Sequence, residues 1–240
     1  MRIKHEFRKC FWKVGYDISR FTPTSHPIAK RKRLFQSYEI DTVLDIGANS
    51  GQFAQKLKGD IGYTHRILSF EPLCTAFKLL TANAEDDPAW EVYNFAIGDA
   101  EEKREINISK NSCSSSLLNM LPSHLKSAPN SKYIGKEVID IKTIDSLFCD
   151  VCKGAKNVYM KIDTQGYESK VLKGAENSLA NIDTVEMEMS LVPLYDGQLL
   201  FHEMCSLMNK KGYTLVAIEN GFSDPASGQL LQLDGVFHRL

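Results

Sequence analysis

Val43-Leu44-Asp45-Ile46-Gly47-Ala48-Asn49-Ser50-Gly51 reads as a buried strand that turns sharply through two glycines into a helix beginning near Gln52. Glycine at such a turn lets the backbone approach a ligand that a Cβ would push away. The spacing is D-x-G-x-x-x-G, whereas a dinucleotide binder that seats a pyrophosphate at the helix start shows G-x-G-x-x-G. A nucleoside cofactor without phosphates fits this turn better. S-adenosylmethionine, with an adenosine to hold and a methionine zwitterion to neutralise, is such a group.

Outward from this turn, short β-rich runs alternate with helical segments, the pattern of a parallel sheet covered on both faces. Strands are expected at 42–46, 66–70, 91–96, 157–162, 184–189, 213–219 and 231–238, and helices at 51–58, 73–84, 168–180 and 199–211. The stretch 99–156 holds two further β-like runs, 104–109 and 136–141, and a serine-rich loop at Ser112–Ser116. An insertion there suits a substrate lid at the carboxyl edge of the sheet. The expected domains are a basic helical extension over 1–40 and an α/β domain over 41–240.

Strand 66–70 ends in Phe70-Glu71-Pro72, which puts a carboxylate at the strand tip, where it can accept hydrogen bonds from both hydroxyls of a ribose. The next strand ends at Ala96-Ile97-Gly98-Asp99, a backbone turn and a carboxylate where an adenine ring and its amine would lie. The fourth delivers Met160-Lys161-Ile162-Asp163-Thr164-Gln165-Gly166-Tyr167-Glu168 to the same edge. Asp163 and Glu168 could orient a hydroxyl and accept its proton. Each also has a structural alternative, Asp163 as a helix cap and Glu168 as a complement to the helix dipole. A turn of the D/N-P-P-aromatic kind, expected of an enzyme acting on exocyclic nitrogens, is missing. Glu188, His202 and Tyr195 are weaker candidates.

Asp45-Ile-Gly-Ala-Asn-Ser-Gly-Gln-Phe53, Phe70-Glu71-Pro72-Leu73, Asn94-Phe-Ala-Ile-Gly-Asp99, Asn111–Leu117 and Lys161–Glu168, in that order, resemble the FkbM-type methyltransferases. The resemblance implies a Rossmann-like α/β fold of seven strands, mostly parallel with the last antiparallel, and methyl transfer from S-adenosylmethionine to a hydroxyl of a sugar, glycan or natural product. It places Asp45, Gly47, Asn49, Gly51, Phe53, Glu71, Pro72, Asn94, Gly98 and Asp99 at the cofactor. Ser114, Ser115, Ser116 and Gln165 then face the acceptor, with Asp163 first and Glu168 second as proton acceptor. No metal is implied. The rival reading is a regulatory protein that binds the cofactor and transfers nothing, against which the acidic groups at the reacting edge argue.

Six scattered cysteines do not frame a disulfide scaffold, and Cys149 with Cys152 makes a lone C-x-x-C read as two reduced thiols. A formal net charge of −1 gives no bulk attraction to nucleic acid. With no signal-like or membrane-spanning apolar run, a cytoplasmic protein is expected. The charge is uneven, however: residues 1–33 carry ten Lys/Arg against two acids, a net of +8, which leaves −9 for the remainder. Ile3, Phe7, Phe11, Val14 and Ile18 recur at helical steps. Such a basic amphipathic helix could pack on the domain or lie peripherally on an anionic inner-membrane surface. A second helix is expected at Ile28–Tyr38.

Overall fold

Seven strands line up in one sheet in the computed structural model, which describes residues 8–240. The strands in chain order are β1 (Thr42–Ile46), β2 (Arg66–Phe70), β3 (Trp90–Tyr93), β4 (Ala96–Ile97), β5 (Glu102–Ser109), β6 (Tyr133–Lys142), β7 (Val158–Ile162), β8 (Thr184–Ser190), β9 (Thr214–Asn220) and β10 (Gln232–His238). The large sheet has the order β3-β2-β1-β7-β8-β10-β9. Its first five members are mutually parallel, and β10 runs antiparallel to both neighbours. The mostly parallel α/β architecture with an antiparallel last strand is therefore as expected. β1 and β7 are buried along their whole length, which is why both read as continuous apolar runs rather than alternating ones. Between them the strand order reverses direction, opening the crevice where α/β sheets bind ligands.

The helices are α1 (Pro27–Ser37), α2 (Gln52–Ile61), α3 (Cys74–Ala84), α4 (Pro122–Ser127), α5 (Ile144–Val151), α6 (Glu168–Lys173) and α7 (Phe201–Lys210). The amphipathic α2 buries Ala54, Leu57 and Ile61 and stops at Gly62, whose left-handed conformation caps it. α5, not anticipated from sequence, starts at Thr143, whose hydroxyl accepts the Ser146 N–H. The expected helix over 168–180 ends instead at Lys173, followed by Gly174, which lies against the Gly98 carbonyl so closely that no Cβ would fit. A short 3-10 turn, Ser178–Asn181, follows.

The expected strand 91–96 is also divided. Asn94 turns its amide back to the carbonyls of Glu71 and Pro72, each at 3.0 Å. β4 then joins a separate three-stranded sheet, order β4-β6-β5, in which β5 and β6 form an antiparallel ribbon.

The chain forms two compact units, one ending at Glu39 and the other spanning Ile40–Leu240. In the first, residues 8–12 are helical, and a left-handed Gly15 ends the helix. Gly15 donates to the Trp12 carbonyl and Tyr16 to that of Phe11, the paired bonds of a glycine-terminated helix end. The stripe expected to run on through Val14 and Ile18 is therefore broken, and its first members, Ile3 and Phe7, lie outside the described residues. Among the described residues no helix is long and apolar enough to cross a membrane.

Candidate active site at the carboxyl edge of the sheet

Three residues after β1 adopt positive φ: Gly47 (80°), Asn49 (50°) and Gly51 (87°). A Cβ on Gly47 would strike the Asp163 carbonyl, and one on Gly51 the Trp90 ring, so both glycines are required by packing against the protein itself. The turn is pinned to the end of β2 by Gly47 and Ala48 N–H groups on the Phe70 carbonyl, both at 3.0 Å. Glu71 completes the attachment. One carboxylate oxygen accepts the Asn49 N–H at 2.8 Å and the other the Leu73 N–H at 2.9 Å. Burial pushes Glu71 up to about 7, against the pull of those two donors.

A row of charge crosses the sheet behind this turn. Ser69, Asp45, Lys161 and Glu186 are register partners on four adjacent strands and so share one face. Ser69 accepts from the Trp90 indole at 2.9 Å and donates to Asp45 at 3.2 Å; Tyr159 donates to Glu186. Asp45 is fully buried and its Oδ1 has no partner. Burial raises it to about 6, with the Lys161 ammonium opposing. Lys161 donates to Asp163 at 2.9 Å and lies 5.2 Å from the Phe53 ring centroid, which in turn stacks on Tyr159. Burial works against the Lys161 charge, but Asp163 and Asp45 outweigh it and push its pKa up.

The loop after β7 brings the expected acidic groups to this edge in two different roles. Asp163 remains about one-third exposed, and although burial disfavours its charge, Lys161 holds its pKa below the usual carboxylate range. Glu168 is buried, and one of its oxygens receives the Thr164 N–H and hydroxyl and the Gly166 N–H, bonds that shape its own loop and the start of α6. Burial raises Glu168 to about 7.

Gln165, at φ 56°, is the hub. Its amide donates to Asp163 and to Glu188, both at 2.8 Å, and accepts the Tyr195 hydroxyl at 2.7 Å, while its backbone carbonyl accepts Ser116. Gln232 on β10 also donates to Glu188, whose pKa burial and then the nearby Asp163 and Asp234 drive well above normal. Gln232 was not anticipated, since only the antiparallel pairing of β10 with β8 brings it to the site. Tyr195 is buried with its ring edge against His124, and His202 is exposed on α7.

The serine loop is internally bonded. Ser114 bonds to Asn111 and Ser131, Ser115 accepts the Ser109 N–H, and Ser116 accepts the Leu118 N–H. Ser114 and Ser116 are buried; Ser112 reaches the cofactor turn, 3.5 Å from the Asn49 amide. At the other side of the crevice Asp99 pairs with Lys173 at 2.9 Å and Lys170 at 3.3 Å. Pro72 is half-buried beside Glu71.

A buried carboxylate oxygen without a partner, three carboxylates around one ammonium, and a glycine turn without phosphate-seating spacing all fit a cofactor that is a cationic nucleoside. Strand order defines a Rossmann-like α/β fold. The match to the methyltransferase FkbM domain covers residues 45–215, and the chain belongs to that family. S-adenosylmethionine is accordingly its cofactor.

Among solved structures, the chain resembles the methyltransferase FkbM from Methylobacillus flagellatus KT, at 15% identity and TM-score 0.49 over 82% of this chain and 44% of that one. It thus spans less than half of that relative's length. A fibrillarin pre-rRNA processing protein from Methanococcus jannaschii is similar at 8% identity, TM-score 0.48, over 83% and 66% of the two chains. The Aeropyrum pernix fibrillarin, in complex with natively bound S-adenosyl-L-methionine, follows at 10% identity, TM-score 0.45, over 81% and 66%. No curated protein matches in sequence.

Proposed function

We propose that this chain is an O-methyltransferase acting on a hydroxyl of a sugar, glycan or other natural product, with Asp163 orienting that hydroxyl and receiving its proton. The observation that carries the reading is the placement of Asp163. It is a partly exposed carboxylate held by Lys161 and Gln165, and its backbone N–H joins the end of β7 to the end of β1 through the Ile46 carbonyl. The bound cofactor supplies an electrophilic methyl carbon on a sulfonium that leaves readily. Attack by the acceptor oxygen on that carbon would release S-adenosylhomocysteine as a neutral thioether and leave one proton for the protein to take.

The protein's work is then alignment and one proton acceptor. Glu71 is assigned the ribose hydroxyls, each carboxylate oxygen having acceptor capacity beyond its single N–H bond. Asp45, through its unpartnered Oδ1, takes a donor from the methionine end. Asn49, Gly51, Phe53, Pro72 and Asn94 build the walls of this pocket, and Gly98 with Asp99 its adenine end. Gln165 and the Ser114–Ser116 turn frame the acceptor side, and Glu168 supports the loop that carries Asp163.

The test is methyl transfer from labelled cofactor to a panel of glycosides and nucleotide sugars. Asp163→Asn should lose transfer while S-adenosylhomocysteine still binds in calorimetry. Transfer to amines only, or an Asp163→Asn protein of full activity, would overturn the reading.

A further inference from the structure

We propose that residues 8–33 form a docking surface for a lipid bilayer carrying anionic headgroups. Trp12, Val14, Tyr16, Ile18 and Phe21 stand 43–70% exposed within ten residues, whereas only six large apolar side chains are comparably exposed over all of Ile40–Leu240. Such a concentration of exposed apolar surface marks an interaction site. The glycine stop at Gly15 ends the helix, and Tyr16 and Ile18 follow in chain without regular structure.

Charge identifies the occupant. Residues 8–33 hold eight Lys/Arg and one acid, Asp17. That acid is neutralised inside the segment, accepting from the Arg8 guanidinium at 2.7–3.0 Å and from the Trp12 indole at 2.8 Å. The face is left positive, with Lys13 and Arg20 interleaved among the aromatic and aliphatic groups. Aromatic rings at a headgroup boundary with cations beside them are what an anionic bilayer surface accommodates. A second copy would bring the same positive charge, and a nucleic-acid backbone offers nothing to Val14 and Ile18. Because no described helix is long and apolar enough to cross a membrane, the contact is peripheral.

Flotation of the full chain with vesicles tests this. Binding is expected to phosphatidylcholine vesicles that contain phosphatidylglycerol and not to phosphatidylcholine alone, weakening as salt rises. Neutralising either Lys13 or Arg20 should reduce binding roughly fivefold. Trp90 is 6% exposed, so a blue shift of tryptophan emission on binding reports Trp12 and disappears in Trp12→Phe. The Ile18→Ser, Phe21→Ser double variant should lose flotation and keep its S-adenosylhomocysteine heat, which shows that the domain remains folded. The proposal is overturned if both vesicle types float the chain equally or neither does, if the double variant floats unchanged, or if the segment instead binds polyuridylate or drives self-association.

Discussion

Glu71 and Asn49 meet through a 2.8 Å bond from the Asn49 backbone N–H to the Glu71 carboxylate, so the residue assigned to the ribose also holds the cofactor turn in shape. Glu71→Ala removes both functions. Charge-assisted bonds of this kind are each worth about 1.5–3 kcal/mol, so S-adenosylhomocysteine affinity should fall roughly a hundredfold or more by calorimetry. Undiminished binding would remove Glu71 from the site.

Burial places Glu71 near pH 7, and only its ionised form accepts through both oxygens. Cofactor affinity should therefore rise as pH increases through about 7, with a proton released on binding below that value. Calorimetry in buffers of different ionisation enthalpy measures the release. Glu71→Gln should abolish both the release and the pH dependence.

Glu168 gives an opposite pH signature in stability. Its folded pKa, about 7, lies above its ordinary 4.5. The folded state therefore binds the extra proton, and the stabilisation is full below about 4.5 and lost as pH rises through about 7. Urea denaturation at a series of pH values should show this loss, and Glu168→Gln should flatten it. An identical slope in the variant would assign the dependence to other groups.

Lys161 faces Asp45, Asp163 and Glu186. Lys161→Met strands buried carboxylates without their cation and should cost roughly 3–5 kcal/mol, read as a lower denaturation midpoint. Lys161→Arg should recover part of it. A Met variant of wild-type stability would mean that the pairing of Lys161 with these carboxylates adds nothing net to the fold.

What could be read from the chain was what is local. The turn from Asp45 to Gly51 names its own geometry, since strand, glycines and helix follow within a few residues, and Glu71 sits at a strand tip that the same alternation predicts. Asp163 was legible for that reason too. Side-chain commitment was not legible. Ser114 and Ser116 looked like hydroxyls offered to a substrate, yet they are bonded to the protein, Ser114 to Ser131 and Ser116 to the Gln165 carbonyl, and Asp99 is taken up by lysines one helix away. Gln232 lies 69 positions after Asp163, and only a strand register that no sequence period encodes puts it beside Glu188.

Gln165 ties the serine loop, the Tyr195 segment, Asp163 and Glu188 into one knot. Any change inside that knot disturbs several partners at once, so its members are poorly free to vary as acceptors change over evolutionary time. Under the proposed function, new acceptor preferences should accumulate at its periphery instead, at exposed positions such as Ser112, Cys113 and Asn119, where a substitution can reshape the entrance without loosening Asp163. The fold thereby separates the part that must stay fixed for chemistry from the part that can drift toward a new substrate.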